Sequence, residues 1–390
     1  MKYNFDEIVN RYHTNSCKYD VLDNEIPFSL ADMDFHVLPE INAAIKTCCE
    51  VDAFGYAFAN ESYFESYVSW WKENHGLVLQ TNWMIFSRGV VSSIDSTFKA
   101  LGYNGDAVVM LTPIYNVFFN CIKNNGLKLF ACDFVINKDK FEIDWDKLEA
   151  LLKRKETKFL LLCNPHNPIG RLFSKEELVR IVALACENNV LVLSDEIHCD
   201  ITDPSKSYVP SLEACPKACD NIITFLAPTK AFNIAGIQSS IIVVPNPTLY
   251  KVLMDAISKD DHGDPNTFAV AATIAAFKHG KEWNKEMREY IYQNKIYLTN
   301  FINKELPFLK LYNHEATYLM WLDVSNISSS SEAFAKQLRK VTGIVVSPGN
   351  IFGENKHQFI RINIATSLAN IKEFCKRLQT FVKKDDKKFS

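Results

Sequence analysis

From about residue 85 to residue 245, short apolar runs alternate with stretches of helical periodicity. The runs are Ala107 to Leu111, Phe159 to Cys163, Val190 to Ser194, Ile222 to Leu226 and Ser240 to Val244. Each is too short for a helix and apolar enough for a strand buried on both faces. Between two of them, Ser174 and Glu177 stand at capping-box spacing before a stretch whose apolar residues repeat with helical period through Leu184. Strand, helix and strand in succession predict βα units and a mainly parallel sheet, hence an α/β fold.

After Pro245 the pattern changes. Helical stretches are expected around 247 to 260, 266 to 279 and 283 to 304. Strands near Tyr318 to Asp323, Gly343 to Ser347 and Phe359 to Ile364 follow, then a final helix from about 368 to 382. This mixed segment reads as a smaller α+β domain made of residues 1–44 and 281–390, beside a large domain of residues 45–280. The charged tail Val382 to Lys388 is expected to fray.

Composition narrows the function classes. The 390 residues are 47% hydrophobic, enough for a large core. Lys plus Arg at 43 against Asp plus Glu at 46 leaves a net charge of -3, too balanced for a nucleic-acid partner or a membrane surface. Asp6, Glu7, Asp20, Asp23, Asn24 and Glu25 interrupt the first 30 residues, so no signal-peptide core is expected, and no later run has membrane-spanning length. Eleven cysteines scattered through apolar segments suit reduced thiols in a cytoplasm. The pairs Cys48-Cys49 and Cys215 with Cys219 lack a second pair at zinc-site spacing, and the nine histidines form no HxxxH motif, so no metal site is expected.

Three residues fall at or just beyond predicted strand ends: Asn164, Asp195 and Lys230. Ligands of doubly wound sheets bind at the carboxyl ends of the strands, so the three point to one site. Their chemistry matches the needs of pyridoxal 5'-phosphate (PLP): an amine for a Schiff base, an anion for the pyridinium nitrogen and an amide for the ring hydroxyl. A phosphate needs backbone donors at a helix N-terminus, which Gly89-Val90-Val91-Ser92 would supply at the start of a helix to Ala100, and the Thr229 hydroxyl adds a donor. Arg361 has the planar fork that clamps a carboxylate.

The ordered set Ala31 to Phe35, Phe54-Gly55-Tyr56, Gly89-Val90-Val91, Pro113-Ile114-Tyr115, Asn164 to Gly170, Asp195 to His198, Ala227 to Gly236 and Phe359 to Ala365 resembles fold-type I PLP enzymes of the aspartate aminotransferase superfamily. Within them it is most similar to the MalY/PatB-type carbon-sulfur β-lyases. The resemblance implies a mainly parallel, seven-stranded PLP-transferase sheet in the large domain. It implies that Lys230 is the Schiff-base lysine and catalytic base, and that Val90, Val91, Tyr115, Asn164, Asp195, His198 and Thr229 hold the cofactor, with Tyr115 stacked on its ring. Tyr56 would reach the phosphate of a neighbouring subunit, which requires a homodimer with a shared active site. Arg361 and Asn164 would bind the amino-acid substrate. Many aminotransferases of the superfamily carry an arginine eight residues after the lysine; here that residue is Gln238, which favours the lyase branch.

The implied reaction is cleavage of L-cystathionine or cysteine S-conjugates to a thiol, pyruvate and ammonia. A class I/II aminotransferase, or a regulatory partner-binding protein on this fold, are the alternatives.

Overall fold

The computed structural model describes residues 1–354 and 356–385, so the end of the charged tail, residues 386–390, lies outside the described residues. A seven-stranded sheet forms its centre, from β1 (Met84–Ser87), β2 (Ala107–Thr112), β3 (Lys128–Asp133), β4 (Thr157–Cys163), β5 (Leu191–Asp195), β6 (Ile222–Leu226) and β7 (Ser240–Val243). The spatial order is β1-β7-β6-β5-β4-β2-β3. Strands β3, β2, β4, β5 and β6 run parallel to one another, and β7 runs against both β6 and β1.

Alternation along the strands divides the core in two. Val109, Leu111, Leu160, Leu162 and Val192 pack on one face, while Val108, Met110, Phe159, Leu161 and Leu193 pack on the other. Each such side chain contributes about 1.5–3 kcal/mol through burial, so the unbroken apolar runs are what a sheet covered on both sides requires. Helix α1 (Val90–Leu101) covers one face, burying Ile94 and Phe98. Helix α2 (Lys175–Glu187) covers the other, burying Leu178, Ile181, Val182 and Ala185. Its predicted capping box is present: the Glu177 amide donates to the Ser174 hydroxyl at 3.2 Å, and the Ser174 amide donates to the Glu177 carboxylate at 2.9 Å.

Two strands of the central sheet escaped the sequence reading. β1 is only four residues long, and β3, at the partly exposed sheet edge, has just four apolar residues between Lys128 and Asp133. The reversal of β7 follows from its connection. Residues 227–239 contain only a 3₁₀ turn, Ala235–Ile237, where a parallel crossover would need a helix-sized excursion.

A second, four-stranded sheet is built from β8 (Lys310–Leu311), β9 (Leu319–Asp323), β10 (Ser347–Pro348) and β11 (Phe359–Asn363), in the order β8-β9-β11-β10. The expected strand from Gly343 to Ser347 is split. Ile344–Val345 pairs in parallel with Ile26–Pro27, after which the chain crosses to place Ser347–Pro348 against β11. The three helices expected after Pro245 are Pro247–Lys259, Ala269–His279 and Lys281–Glu305; a further helix that the sequence reading missed, Ser331–Thr342, follows, and the last helix runs Leu368–Asp385. Trp321 and Ile360 of the smaller sheet share a core with Leu162 and Val192 of the larger one. Among the described residues no helix is long and apolar enough to cross a membrane.

Candidate active site

The site lies where β4, β5 and β6 end. The fully buried β5 carries Asp195 as its last residue, and β6 delivers Thr229 and Lys230 through the turn that follows it. Beyond β4, Asn164 to Gly170 form a tight loop in which the Gly170 amide donates to the His166 carbonyl at 2.8 Å. Gly170 has φ +61, and a Cβ there would lie 2.1 Å from the His314 ring, so both conformation and space demand glycine.

A cavity of about 400 Å³, the size of a small-ligand pocket, brings these strand ends together. Its wall includes Val90, Val91, Tyr115, Asp195, His198, Thr229 and Lys230, all predicted from sequence. Lys230 Nζ donates to the Ala31 carbonyl at 2.7 Å. Burial and then the Arg361 charge hold the Lys230 amine below its ordinary pKa, against the opposing pull of Asp32 and Asp195. Asp195 accepts the Ile197 amide at 3.1 Å and faces the Cys163 thiol at 3.9 Å. With no cation in contact, burial raises its carboxyl to about 7. His198 is driven the other way, to about 3, by burial and the Lys230 and Arg361 charges, so its imidazole is neutral at physiological pH.

Arg361, in the middle of β11, is 3% exposed. Its Nη2 donates to the Ser29 carbonyl at 2.8 Å, Nη1 donates to Asn167 Oδ1 at 3.3 Å, and its guanidinium lies 4.6 Å from the centre of the Phe352 ring. Burial lowers it to about 10, which leaves it charged at neutral pH. Arg361 Nε, His198 Nδ1 and Asn164 Oδ1 are buried without hydrogen-bond partners. Such atoms are costly unless a ligand completes them.

An N-terminal strap closes this side of the cavity. Asn363 donates to the Leu30 and Asp32 carbonyls at 2.5 and 2.7 Å, Tyr318 donates to Ala31 at 3.1 Å, and Asn233 bonds both the amide and the carbonyl of Met33. Arg11 pairs with Asp32 and Asp34 at 3.1 and 2.9 Å, and the buried Lys18 pairs with Asp34 at 2.8 Å.

Residues 26–378 match the aminotransferase class I and II family. This chain belongs to that family. It is 31% identical to cystathionine beta-lyase PatB of Bacillus subtilis over 382 residues, covering 96% of the chain and 99% of the relative. It is 27% identical to Protein MalY of Escherichia coli over 370 residues, covering 93% of the chain and 94% of MalY. Cystalysin of Treponema denticola, whose structure contains a pyridoxal 5'-phosphate cofactor, superposes with a TM-score of 0.95 at 30% identity, covering 98% of this chain and 100% of that one.

Within this member of the family, three predicted residues lie off that wall: Arg361, whose contacts are given above, Asn164 and Tyr56. Asn164 is fully buried against Asp195, whose carbonyl accepts its backbone amide at 2.8 Å, and its Nδ2 donates to the Val209 carbonyl at 3.0 Å. Asn167, three residues later, is the asparagine on the cavity wall. Tyr56 is 107% exposed and forms no part of the wall. The sequence reading also missed Arg88 as a wall residue, although it directly precedes the Gly89-Val90-Val91-Ser92 helix start.

Elsewhere, His75, Cys199 and Asp200 bring ligand-type atoms within 4.8 Å of one another, a group hidden in the sequence by the separation of His75 from the other two. Both Asp200 oxygens are already bonded to Trp70 Nε1, at 3.0 and 3.1 Å, and Oδ1 is also bonded to His75 at 2.7 Å, which makes this a hydrogen-bonded network.

Proposed function

We propose that this chain is a PLP-dependent carbon-sulfur β-lyase that cleaves L-cystathionine or cysteine S-conjugates to a thiol, pyruvate and ammonia. The observation that carries the reading is a buried cavity with the Lys230 amine and the Asp195 carboxylate on one wall, in a chain 31% identical to a cystathionine beta-lyase along nearly its whole length.

The residues present fit the cofactor. Asp195, raised by burial with no counter-charge in contact, suits a pyridinium N–H. The amides of Val90 and Val91, with the Thr229 hydroxyl, would hold the phosphate, Tyr115 would stack on the ring, and His198 would support the ring neighbourhood as a neutral imidazole. Asn164, behind the wall, has a second amide N–H beyond the one given to Val209, which would serve the ring hydroxyl. When bound, PLP supplies the electron sink for charge left at the substrate Cα.

Arg361 takes the substrate carboxylate through its guanidinium, with Asn167 positioning the fork. Lys230 would tether the cofactor and take the Cα proton of the substrate, a role that the lowering of its pKa by burial favours. The Ala31 carbonyl holds that amine in place.

The active form is a homodimer. Residues 52–60 are irregular and display Phe54, Tyr56 and Phe58 at 62%, 107% and 76% exposure, an apolar arm suited to a second subunit whose phosphate site Tyr56 would complete. All eleven cysteines are free thiols, which fits a cytoplasmic location.

The test is purified protein showing an absorbance band near about 420 nm and releasing pyruvate from L-cystathionine without an added keto acid. Lys230→Ala should lose both. Pyruvate formation that requires a keto acid would replace elimination with transamination.

A further inference from the structure

We infer that Arg88 supplies the positive charge that neutralises the cofactor phosphate in this chain, an inference that rests on the PLP reading above. Phosphate monoesters carry a charge of about -1.5 to -2 at neutral pH. The first helical bond of α1 is Ser93 N to Gly89 O, so the amides of Val90, Val91 and Ser92 have no acceptor within the helix. Those amides and the helix dipole amount to about half a positive charge, which leaves most of a dianion uncompensated.

Among the described residues, two cationic side chains stand on the cavity wall, Arg88 and Lys230. Lys230 is held by the Ala31 carbonyl and is needed at the reacting carbon. Gln238, also on the wall, is neutral. That leaves Arg88, the residue immediately before the helix-opening Gly89.

Its side chain is arranged for the task. Arg88 Nε donates to the Asp264 carbonyl at 2.9 Å, which fixes the root of the guanidinium. Among the described residues neither terminal nitrogen has a protein acceptor, and no carboxylate pairs with it. Among the described residues, both terminal NH₂ groups of this half-buried, anchored arginine thus lack a protein acceptor, on a cavity wall that it shares with Val90, Val91 and Ser92 and where the buried, unpartnered His198 Nδ1 independently calls for a ligand. An arginine at this place does what the arginine at position 238 does in other members, reached from a different strand-to-helix turn.

The experiment compares two ligands that differ only in the phosphate. Holoenzyme is stripped of cofactor, and the dissociation constants of PLP and of pyridoxal are measured by quenching of tryptophan fluorescence. Arg88→Gln should weaken PLP on the order of tenfold or more while leaving pyridoxal unchanged. Adding Gln238→Arg to that variant should restore most of the loss. Unchanged PLP affinity in Arg88→Gln, or an equal loss for both ligands, overturns the inference; the second outcome would mark Arg88 as a structural anchor for the Asp264 loop. If Arg88→Gln does not fold, Arg88→Lys carries the test, with a smaller loss confined to PLP as the expected result and no loss, or an equal loss for pyridoxal, as the refuting one. Wild-type protein that binds neither ligand and lacks the visible band would instead bring down the PLP reading itself.

Discussion

Replacing Asp195 with asparagine should stabilise the cofactor-free protein while weakening its hold on the cofactor. Asparagine is nearly isosteric, and its Oδ1 can keep the bond from the Ile197 amide, which is 3.1 Å in the wild type. What changes is the charge. Burial raises the Asp195 carboxyl from its ordinary 3.8 to about 7, a penalty that Lys230 only partly offsets. Below pH 3.8 the group is neutral in folded and unfolded chains alike and costs nothing. Above about 7 it is ionised in both, and the fold bears the whole desolvation cost, so the loss of stability develops as pH rises through that window. At about 1.4 kcal/mol per tenfold in the ionisation constant, the cost is about 2 kcal/mol at pH 5 and about 4 kcal/mol at pH 8.

Urea unfolding of stripped wild-type and Asp195→Asn proteins at both pH values measures this directly. The asparagine variant should gain over wild type as pH rises, by about 2 kcal/mol between the two conditions. Glu196, also buried and raised to about 7, contributes equally to both proteins and cancels. Reconstituted with PLP, the order should reverse, because only the carboxylate can pair with the ring nitrogen. A stability gap that does not change with pH would refute the assignment of an ionising, uncompensated carboxylate at this position.

Other expectations follow from the same geometry. Arg361→Lys keeps the charge but loses the fork, and should raise KM for L-cystathionine on the order of tenfold or more with a smaller effect on kcat, read from steady-state kinetics. His75→Ala removes one partner from the buried Asp200 and should cost about 2–4 kcal/mol in urea unfolding while leaving PLP affinity unchanged. His166 and His198, lowered by burial to about 4 and about 3, are neutral when folded, so stability they contribute above pH 6.5 is lost as pH falls; His198→Asn should flatten that acid limb in a pH series of melting temperatures. Replacing Phe54, Tyr56 and Phe58 together with serine should shift sedimentation velocity from dimer toward monomer.

The apolar runs made the buried strands legible because a strand covered on both faces must be apolar throughout, and β2, β4, β5, β6 and β7 all are or nearly are. That logic fails at β3, where exposure at the edge allows Lys128 and Asp133. Residues that end strands, such as Asp195, were readable because the fold sends every parallel strand end to one side. Hydrogen-bond partners were not. Nothing in the Asn164-Pro165 context says that its amide nitrogen meets Val209, 45 residues away, or that Arg88, and not a residue near Lys230, adds a cation to the cavity wall. Those choices are made by side chains after the backbone has brought distant segments together.

The same charges that make the site chemically useful make it unfavourable as bare protein. Asp195 lacks a contacting cation, Arg361 has an unpartnered Nε and a lowered pKa, and His198 is held neutral with an open Nδ1. Each is a buried group whose best partner belongs to a ligand. The surrounding fold tolerates them because the strap is over-determined: Asn233, Asn363, Tyr318, Arg11 and Lys18 fix its backbone or its carboxylates independently of anything in the cavity. Binding a cofactor with a ring cation and an amino acid with a carboxylate would relieve the first two penalties at once. Part of the ligand affinity is therefore relief of the desolvation that these buried groups bear, and the hydrogen bonds of the strap hold them where a ligand can meet them.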